Sequence, residues 1–147
     1  MTSSVLLDSS ILIEYAKNKK VKLLDSLIND NSFSCYINET IVSEFYFQFL
    51  KLSTNKAPAT LESSGLINLV LENNKNYLFI NLFEFLLSDR SIIKRVPELM
   101  KRYNLLPNDA IILATCKIHN ITKLASHDTD FIIPCKAEGI ELLREEI

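Results

Sequence analysis

The chain has 147 residues, 48% of them apolar and 23% charged, and its 16 basic and 18 acidic side chains leave a formal net charge of −2. That balance excludes a disordered chain and a protein that holds nucleic acid through a broad basic surface. Only Gly65 and Gly139 are glycines, so no glycine-rich phosphate loop is present, and the longest apolar stretch, Tyr77 to Leu87, is broken by Asn81 and Glu84, short of the roughly 20 residues that span a bilayer.

Val5-Leu6-Leu7 predicts a buried first strand with Asp8 at its carboxyl end, and Ser9 or Ser10 can cap a helix through Ile11, Leu12 and Tyr15. The start carries no basic segment, and Asp8 ends the apolar run too early for a signal peptide, so the expectation is a cytoplasmic protein with no membrane segment. A short helix over Val21 to Ile28 and a strand over Ser32 to Ile37 follow, with Asn38 as the next N-cap. The helix from Glu39 to about Leu52 carries Ile41, Val42, Phe45, Tyr46, Phe47, Phe49, Leu50 and Leu52, apolar nearly all round, which predicts burial on more than one side.

Ser53 to Ser64, with Pro58 among small and polar residues, reads as a loop, and Leu66 to about Leu82 as a helix. Glu84 to Leu87 suggests a brief strand. Ser88 or Asp89 then caps a helix reaching Tyr103, kinked or divided at Pro97, because proline lacks the amide proton and clashes with the preceding turn. Pro107 suits the first position of another helix, which sets Asp109 in its first turn and ends near Asn120. Ile121 to Ser126 and Ile140 to Leu143 complete the strands. The alternation predicts a single domain over 1–147 of the α/β class, a three-layer sandwich with a mostly parallel central sheet of four to five strands flanked by helices. Cys35, Cys116 and Cys135 are odd in number, widely spaced and in apolar settings, which points to reduced core thiols rather than a disulfide or zinc set.

Four acids stand where apolar runs end: Asp8, Glu44, Asp109 before Ala110-Ile111-Ile112-Leu113-Ala114, and Asp128 after Leu124-Ala125-Ser126. A carboxylate at the edge of a core costs solvation energy, so its recurrence at four such boundaries points to a shared cation. In a parallel sheet, sites form outside the carboxyl ends of the strands where strand order reverses, and topology alone puts Asp8 and Asp128 there. Taken singly each acid also has an ordinary reading. Asp109 can complement a helix dipole, Asp8 can cap a helix, Glu44 can pair with a base, and Asp128 and Asp130 can stabilise a turn. His127 and His119 read as structural or surface residues. Lys17, Lys19, Lys20 and Lys22 form one basic patch and Lys94, Arg95, Lys101 and Arg102 another, each either a phosphate-facing surface or an ordinary solvated face.

In order and spacing, Asp8-Ser9-Ser10-Ile11-Leu12-Ile13, Val42-Ser43-Glu44, Leu106-Pro107-Asn108-Asp109-Ala110-Ile111-Ile112-Leu113-Ala114-Thr115 and Ser126-His127-Asp128-Thr129-Asp130-Phe131 resemble the PIN domain of VapC-like toxins. The resemblance spans essentially the whole chain. It implies a Mg²⁺- or Mn²⁺-dependent endoribonuclease, with RNA as substrate, often a homodimer and often held inactive by a small antitoxin protein. Asp8, Glu44, Asp109 and Asp128 match the family's acidic quartet, with Ser10 and Ser126 as supporting hydroxyls; members vary in which acid of the last segment, Asp128 or Asp130 here, reaches the metal. Carboxylate oxygens are hard ligands that suit these ions. Asp8 and Asp109 are assigned to direct ligation, and Glu44 and Asp128 to action through water or as proton acceptors.

Two other classes compete with the nuclease. One is a catalytically weak PIN module that serves as an RNA or protein scaffold, with Phe45, Phe47 and Phe49 meeting a partner. The other is a phosphatase with Asp8 as covalent nucleophile, although the haloacid dehalogenase-like pattern would place a second acid where Ser10 stands.

Overall fold

In the computed structural model, which describes residues 2–145, five strands form one sheet: β1 (Ser3–Leu7), β2 (Phe33–Ile37), β3 (Glu84–Phe85), β4 (Lys123–Ala125) and β5 (Glu141–Leu143). Every neighbouring pair is parallel, and the order across the sheet is β3-β2-β1-β4-β5. Val5, Leu6 and Leu7 are all fully buried. The central strand is therefore a continuous apolar run, as a strand covered on both faces must be. Val5 stands opposite Cys35 on one side and Lys123 on the other. The chain moves outward from β1 through β2 to β3, then returns to the other side for β4 and β5. Strand order thus reverses between β1 and β4, whose carboxyl ends flank one crevice.

Eight helices flank the sheet: α1 (Ser9–Ala16), α2 (Lys22–Asn29), α3 (Glu39–Thr54), α4 (Pro58–Ser63), α5 (Ile67–Asn73), α6 (Arg90–Tyr103), α7 (Pro107–Ile118) and α8 (Ile132–Glu138). α1 packs on α3, α3 on α7, and α6 on α7. Asp8, rather than Ser9 or Ser10, occupies the N-cap position of the first helix, although its side chain makes no capping hydrogen bond. α3 buries a single stripe, Ile41, Phe45 and Phe49, spaced one turn apart, while Phe47 is 56% exposed. α3 meets α1, α5 and α7, so it is covered from more than one side, while the side bearing Phe47 stays open. Phe45 and Phe49 stack at 5.7 Å and belong to the core, so they are not a surface on which a scaffold could recruit a partner.

The expected loop over 53–64 contains α4, because Pro58 occupies its first turn, where a missing N–H costs no hydrogen bond, and Leu61 buries beneath it. The helix expected from Leu66 to Leu82 is instead α5 followed by a 3-10 turn at Leu78–Leu82. Asn74 interrupts it: its side-chain oxygen accepts the N–H of Asn76, a local turn that competes with the helical ladder. α6 runs undivided through Pro97, which lies on its exposed side. After β4 a 3-10 turn at Thr129–Phe131 leads into α8, an element that short apolar spacing did not announce; Phe131, Pro134 and Cys135 bury it, and Gly139 ends it at φ 72°.

Cys116 and Cys135 are buried and Cys35 half-buried, all three as free thiols; burial pushes Cys35 up to about 11 and Cys135 up to about 12, which keeps them protonated. Among the described residues no helix is long and apolar enough to cross a membrane.

One buried polar contact sets α3 against α7. Asn38 caps α3 by accepting the N–H of Ile41 at 2.9 Å, and its amide donates to the Thr115 hydroxyl of α7 at 3.2 Å. Replacing Asn38 with alanine removes both bonds and is expected to lower unfolding free energy by about 1–2 kcal/mol in a urea titration with unchanged slope. An unmoved midpoint would show that the cap contributes nothing.

Candidate active site

Asp8 leaves β1 into the crevice and is 4% exposed. Its Oδ2 accepts the hydroxyl of Ser10 at 2.8 Å and that of Ser126 at 2.7 Å, so Oδ1 is left out of both bonds. Each serine has one proton and gives it to Asp8; the 3.2 Å between the two hydroxyl oxygens is then a packing distance rather than a bond. The serines also act as acceptors. Ser10 takes the backbone N–H of His127, and Ser126 takes that of Asp128, both at 3.0 Å. The residues expected to support the acids thus hold the segment after β4 against the end of β1.

That segment presents two further acids. Asp128 caps the 3-10 turn by accepting the N–H of Asp130 at 2.9 Å, the ordinary turn role its position suggests. It is also part of a cluster, because a carboxylate oxygen from each of Asp109, Asp128 and Asp130 lies within 4.8 Å of the other two. Asp109 reaches this place from the first turn of α7, started by Pro107. Glu44 approaches from α3. Its Oε1 is buried and has no hydrogen-bond partner among the described residues.

The electrostatics follow from this crowding. Burial is the main cause that raises the Asp8 carboxyl, partly offset by the two serine hydroxyls. Burial and the neighbouring Asp8 likewise raise Glu44, against a smaller opposing pull from Asn108. Asp109 is pushed up to about 7 by burial first, then by Asp128, Asp8, Glu44 and Asp130. Among the described residues none of these five acids forms an ion pair with a base. The pairing of Glu44 with a basic residue, open from sequence, is therefore not the arrangement formed.

An uncompensated group of carboxylates fits a hard divalent cation. The donors are all oxygen, one buried carboxylate oxygen has no partner among the described residues, and burial together with the neighbouring acids pushes Asp109 up to about 7. Sequence reasoning placed Asp8 and Asp109 as direct ligands and left Asp130 at the margin. The structure brings Asp130 into one group with Asp109 and Asp128. Asn108 was not singled out; its only signal was its place between Pro107 and Asp109. Covalent attack by Asp8 finds little support in a carboxylate so buried and already holding two hydroxyls. His127 stands outside the cluster: burial lowers it, and the charges acting on it are Lys20, Glu14, Glu145 and Arg144. His119 is exposed at the end of α7.

Comparison with known proteins returns the same architecture. The PIN domain model matches residues 5–136. The chain is 34% identical over 160 residues to Ribonuclease VapC6 of Methanocaldococcus jannaschii, covering 97% of this chain and 98% of that one. It is 32% identical over 130 residues to Ribonuclease VapC2 of the same organism, covering 88% and 87%. Among solved structures, VapBC-5 of Mycobacterium tuberculosis, a member of the VapBC family of toxin-antitoxin systems, superposes with a TM-score of 0.64 at 16% identity, over 97% of this chain and 99% of that one.

The raised carboxyl of Asp109 gives stability a definite pH dependence. Its folded value of about 7 lies above the ordinary 3.8, so its contribution is fully present below about pH 4 and is lost as pH rises through about 7. In metal-free buffer the melting temperature should fall between about pH 5 and pH 8, and Asp109→Asn should flatten that fall and raise melting by roughly 2–4 °C at the upper end. An Asn variant that melts at or below the parent at about pH 8 would count against a crowded cluster.

Proposed function

The chain belongs to the PIN domain family, and from that premise we propose that it is a divalent-metal-dependent endoribonuclease that hydrolyses RNA phosphodiester bonds as the toxin of a toxin-antitoxin pair. The observation that carries the reading is the convergence of acids from four separate segments at the reversal point of the sheet, with no ion pair to a base among the described residues. Two ribonuclease-named relatives over most of the chain support it. The whole chain, 1–147, acts in this reading as one PIN-like domain.

Asp109, Asp128 and Asp130, which share one space, would hold the cation, Mg²⁺ or Mn²⁺, with Asp8 as a further carboxylate at the same crevice. Such an ion, when bound, supplies positive charge against the phosphodiester and lowers the pKa of water in its shell. Ser10 and Ser126 fix the rotation of the Asp8 carboxylate, so its geometry is set before substrate arrives. Glu44 is the proton acceptor: Oε1 is unpartnered, and burial and Asp8 raise its affinity for a proton. With a net charge of −2, attraction for RNA depends on local patches rather than on the molecule as a whole. A small antitoxin protein is the expected partner, by likeness to the toxin-antitoxin member of the fold, and a homodimer is the expected assembly.

Purified protein should cleave single-stranded RNA in Mn²⁺ or Mg²⁺ and stop when EDTA is added. Asp8→Asn and Asp109→Asn should each reduce the rate by about 100-fold or more, at or beyond what loss of a supporting residue around a metal costs. RNA left intact by well-folded protein with either ion would return the chain to a scaffold role, and cleavage untouched by EDTA would remove the metal from the reading.

A further inference from the structure

α6 ends beside the acidic cluster. Asn104 caps it in the left-handed conformation at φ 54°, and between this end and the start of α8 lies a cavity of about 550 Å³. Arg102, Tyr103, Asn104, Thr129, Asp130 and Ile133 line it. Asp130 belongs both to this cavity and to the carboxylate group with Asp109 and Asp128. The cavity is thus continuous with the place where a scissile phosphate would lie.

Its chemistry is two-sided. Tyr103 contributes an aromatic ring and Ile133 an apolar side chain that is 74% exposed, with no partner in the core. Asn104 and Thr129 contribute an amide and a hydroxyl, and Arg102 a cation. An unstacked base needs an apolar or aromatic surface for its face and hydrogen-bonding groups for its edge. The wall is also held in place. Glu138 of α8 accepts the Tyr103 hydroxyl and pairs with Arg102 and with Lys117 of α7, each at 3.3 Å, so three helices meet at one carboxylate. Arg102 in turn lies 5.9 Å from the centre of the Tyr103 ring.

α6 adds a cationic approach. Lys94, Arg95 and Lys101 are exposed and form no ion pair among the described residues. Lys94 and Lys101 are seven residues apart, which puts them on one face and separates them by about 10 Å along the helix, whereas Arg102 is already paired with Glu98 and Glu138. On an acidic protein, this places positive charge on the helix that ends at the cavity.

We propose that the cavity between α6 and α8 is a subsite for a single nucleotide adjoining the cleaved phosphate. The base lies against Tyr103 and Ile133, its edge meets Asn104 and Thr129, and the α6 cations follow the strand's backbone. The assignment rests on the ribonuclease reading in taking RNA as the occupant, and it makes a single strand, rather than a duplex, the form bound at this point.

The test uses Asp109→Asn protein, which retains the cavity, and a fluorescent hexanucleotide RNA of mixed sequence in Mg²⁺. Asn104→Gly removes the side chain while keeping a residue that accepts the left-handed backbone, and Ile133→Glu places a negative charge at an exposed position. Each is expected to raise the dissociation constant by about fivefold or more, the loss that follows removal of one base contact. RNA should also move the backbone amide resonances of Asn104, Thr129 and Ile133. Unchanged affinity in both variants, unmoved resonances, or no RNA binding at all overturns the subsite. Cleavage by the parent chain is followed in parallel with cut-site sequencing. Binding at the cavity without cleavage would remove the ribonuclease reading and leave the subsite; cleavage with the same cut-site preference in Asn104→Gly as in the parent would remove the subsite and leave the ribonuclease.

Discussion

One carboxylate oxygen joins the two halves of this sheet at its reversal point. Asp8 Oδ2 accepts a hydroxyl from the first turn of α1 and another from the end of β4, and those hydroxyls in turn accept the N–H groups of His127 and Asp128. The acid is deeply buried, and burial alone would drive it toward its neutral form. Two hydrogen bonds to one oxygen oppose that tendency, and hydrogen bonds to a charged group are worth more than those between neutral partners. The contact adds side-chain hydrogen bonds to the backbone bonds from Ser126 to Leu143 and from Asp8 to Ala125 that already hold the exit from β4. The arrangement that positions the first acid therefore also helps to position Asp128 and Asp130.

A second polar joint works on the helices. Asn38 couples the start of α3 to α7 through Thr115, and these two helices deliver Glu44 and Asp109. Both joints lie close to the carboxyl ends of the strands, where a parallel sheet leaves side chains free of the core. The rest of the fold is apolar packing around Val5, Leu6, Leu7, Phe45, Phe49 and Leu113. That packing holds the acids close enough to repel one another. Burial first, and their repulsion after it, favour a proton on Asp109, and a bound cation would relieve the repulsion. Affinity for a divalent ion and tension in its absence are two sides of the same geometry.

How far the sequence could be read varied with the kind of signal. The caps at Asn38 and Asp89 and the start of α7 at Pro107 were legible because capping is local: the donor or acceptor lies within three residues of its partner. The central strand was legible from an unbroken apolar run. α4 and α8 were not, since six or seven residues give too few turns for a periodic pattern, and their burial depends on what lies beneath. The composition of α3 suggested burial on more than one side, and α1, α5 and α7 pack on it, yet which side stays open, the one bearing Phe47, is decided by those neighbours. The acids Asp8, Glu44, Asp109 and Asp128 were visible as charges at the edges of apolar runs. Asp130, in an exposed turn, was hard to tell from a turn-forming residue.

By itself the sequence determined the alternation of strands and longer helices and the mostly parallel class of the sheet, and it singled out four acids at the edges of apolar runs. Each of these follows from interactions between near neighbours or from the pattern of apolar residues along the chain. Only the tertiary structure decided that Asp130 shares one space with Asp109 and Asp128, that Glu44 keeps an unpartnered oxygen, and that Asp109 titrates near neutrality at about 7. Those properties depend on distances between groups far apart in the chain, as with Ser10 and Ser126, separated by 116 residues and 3.2 Å apart in space. Electrostatic coupling falls off with separation and rises as water is excluded, and neither quantity can be read from the order of residues.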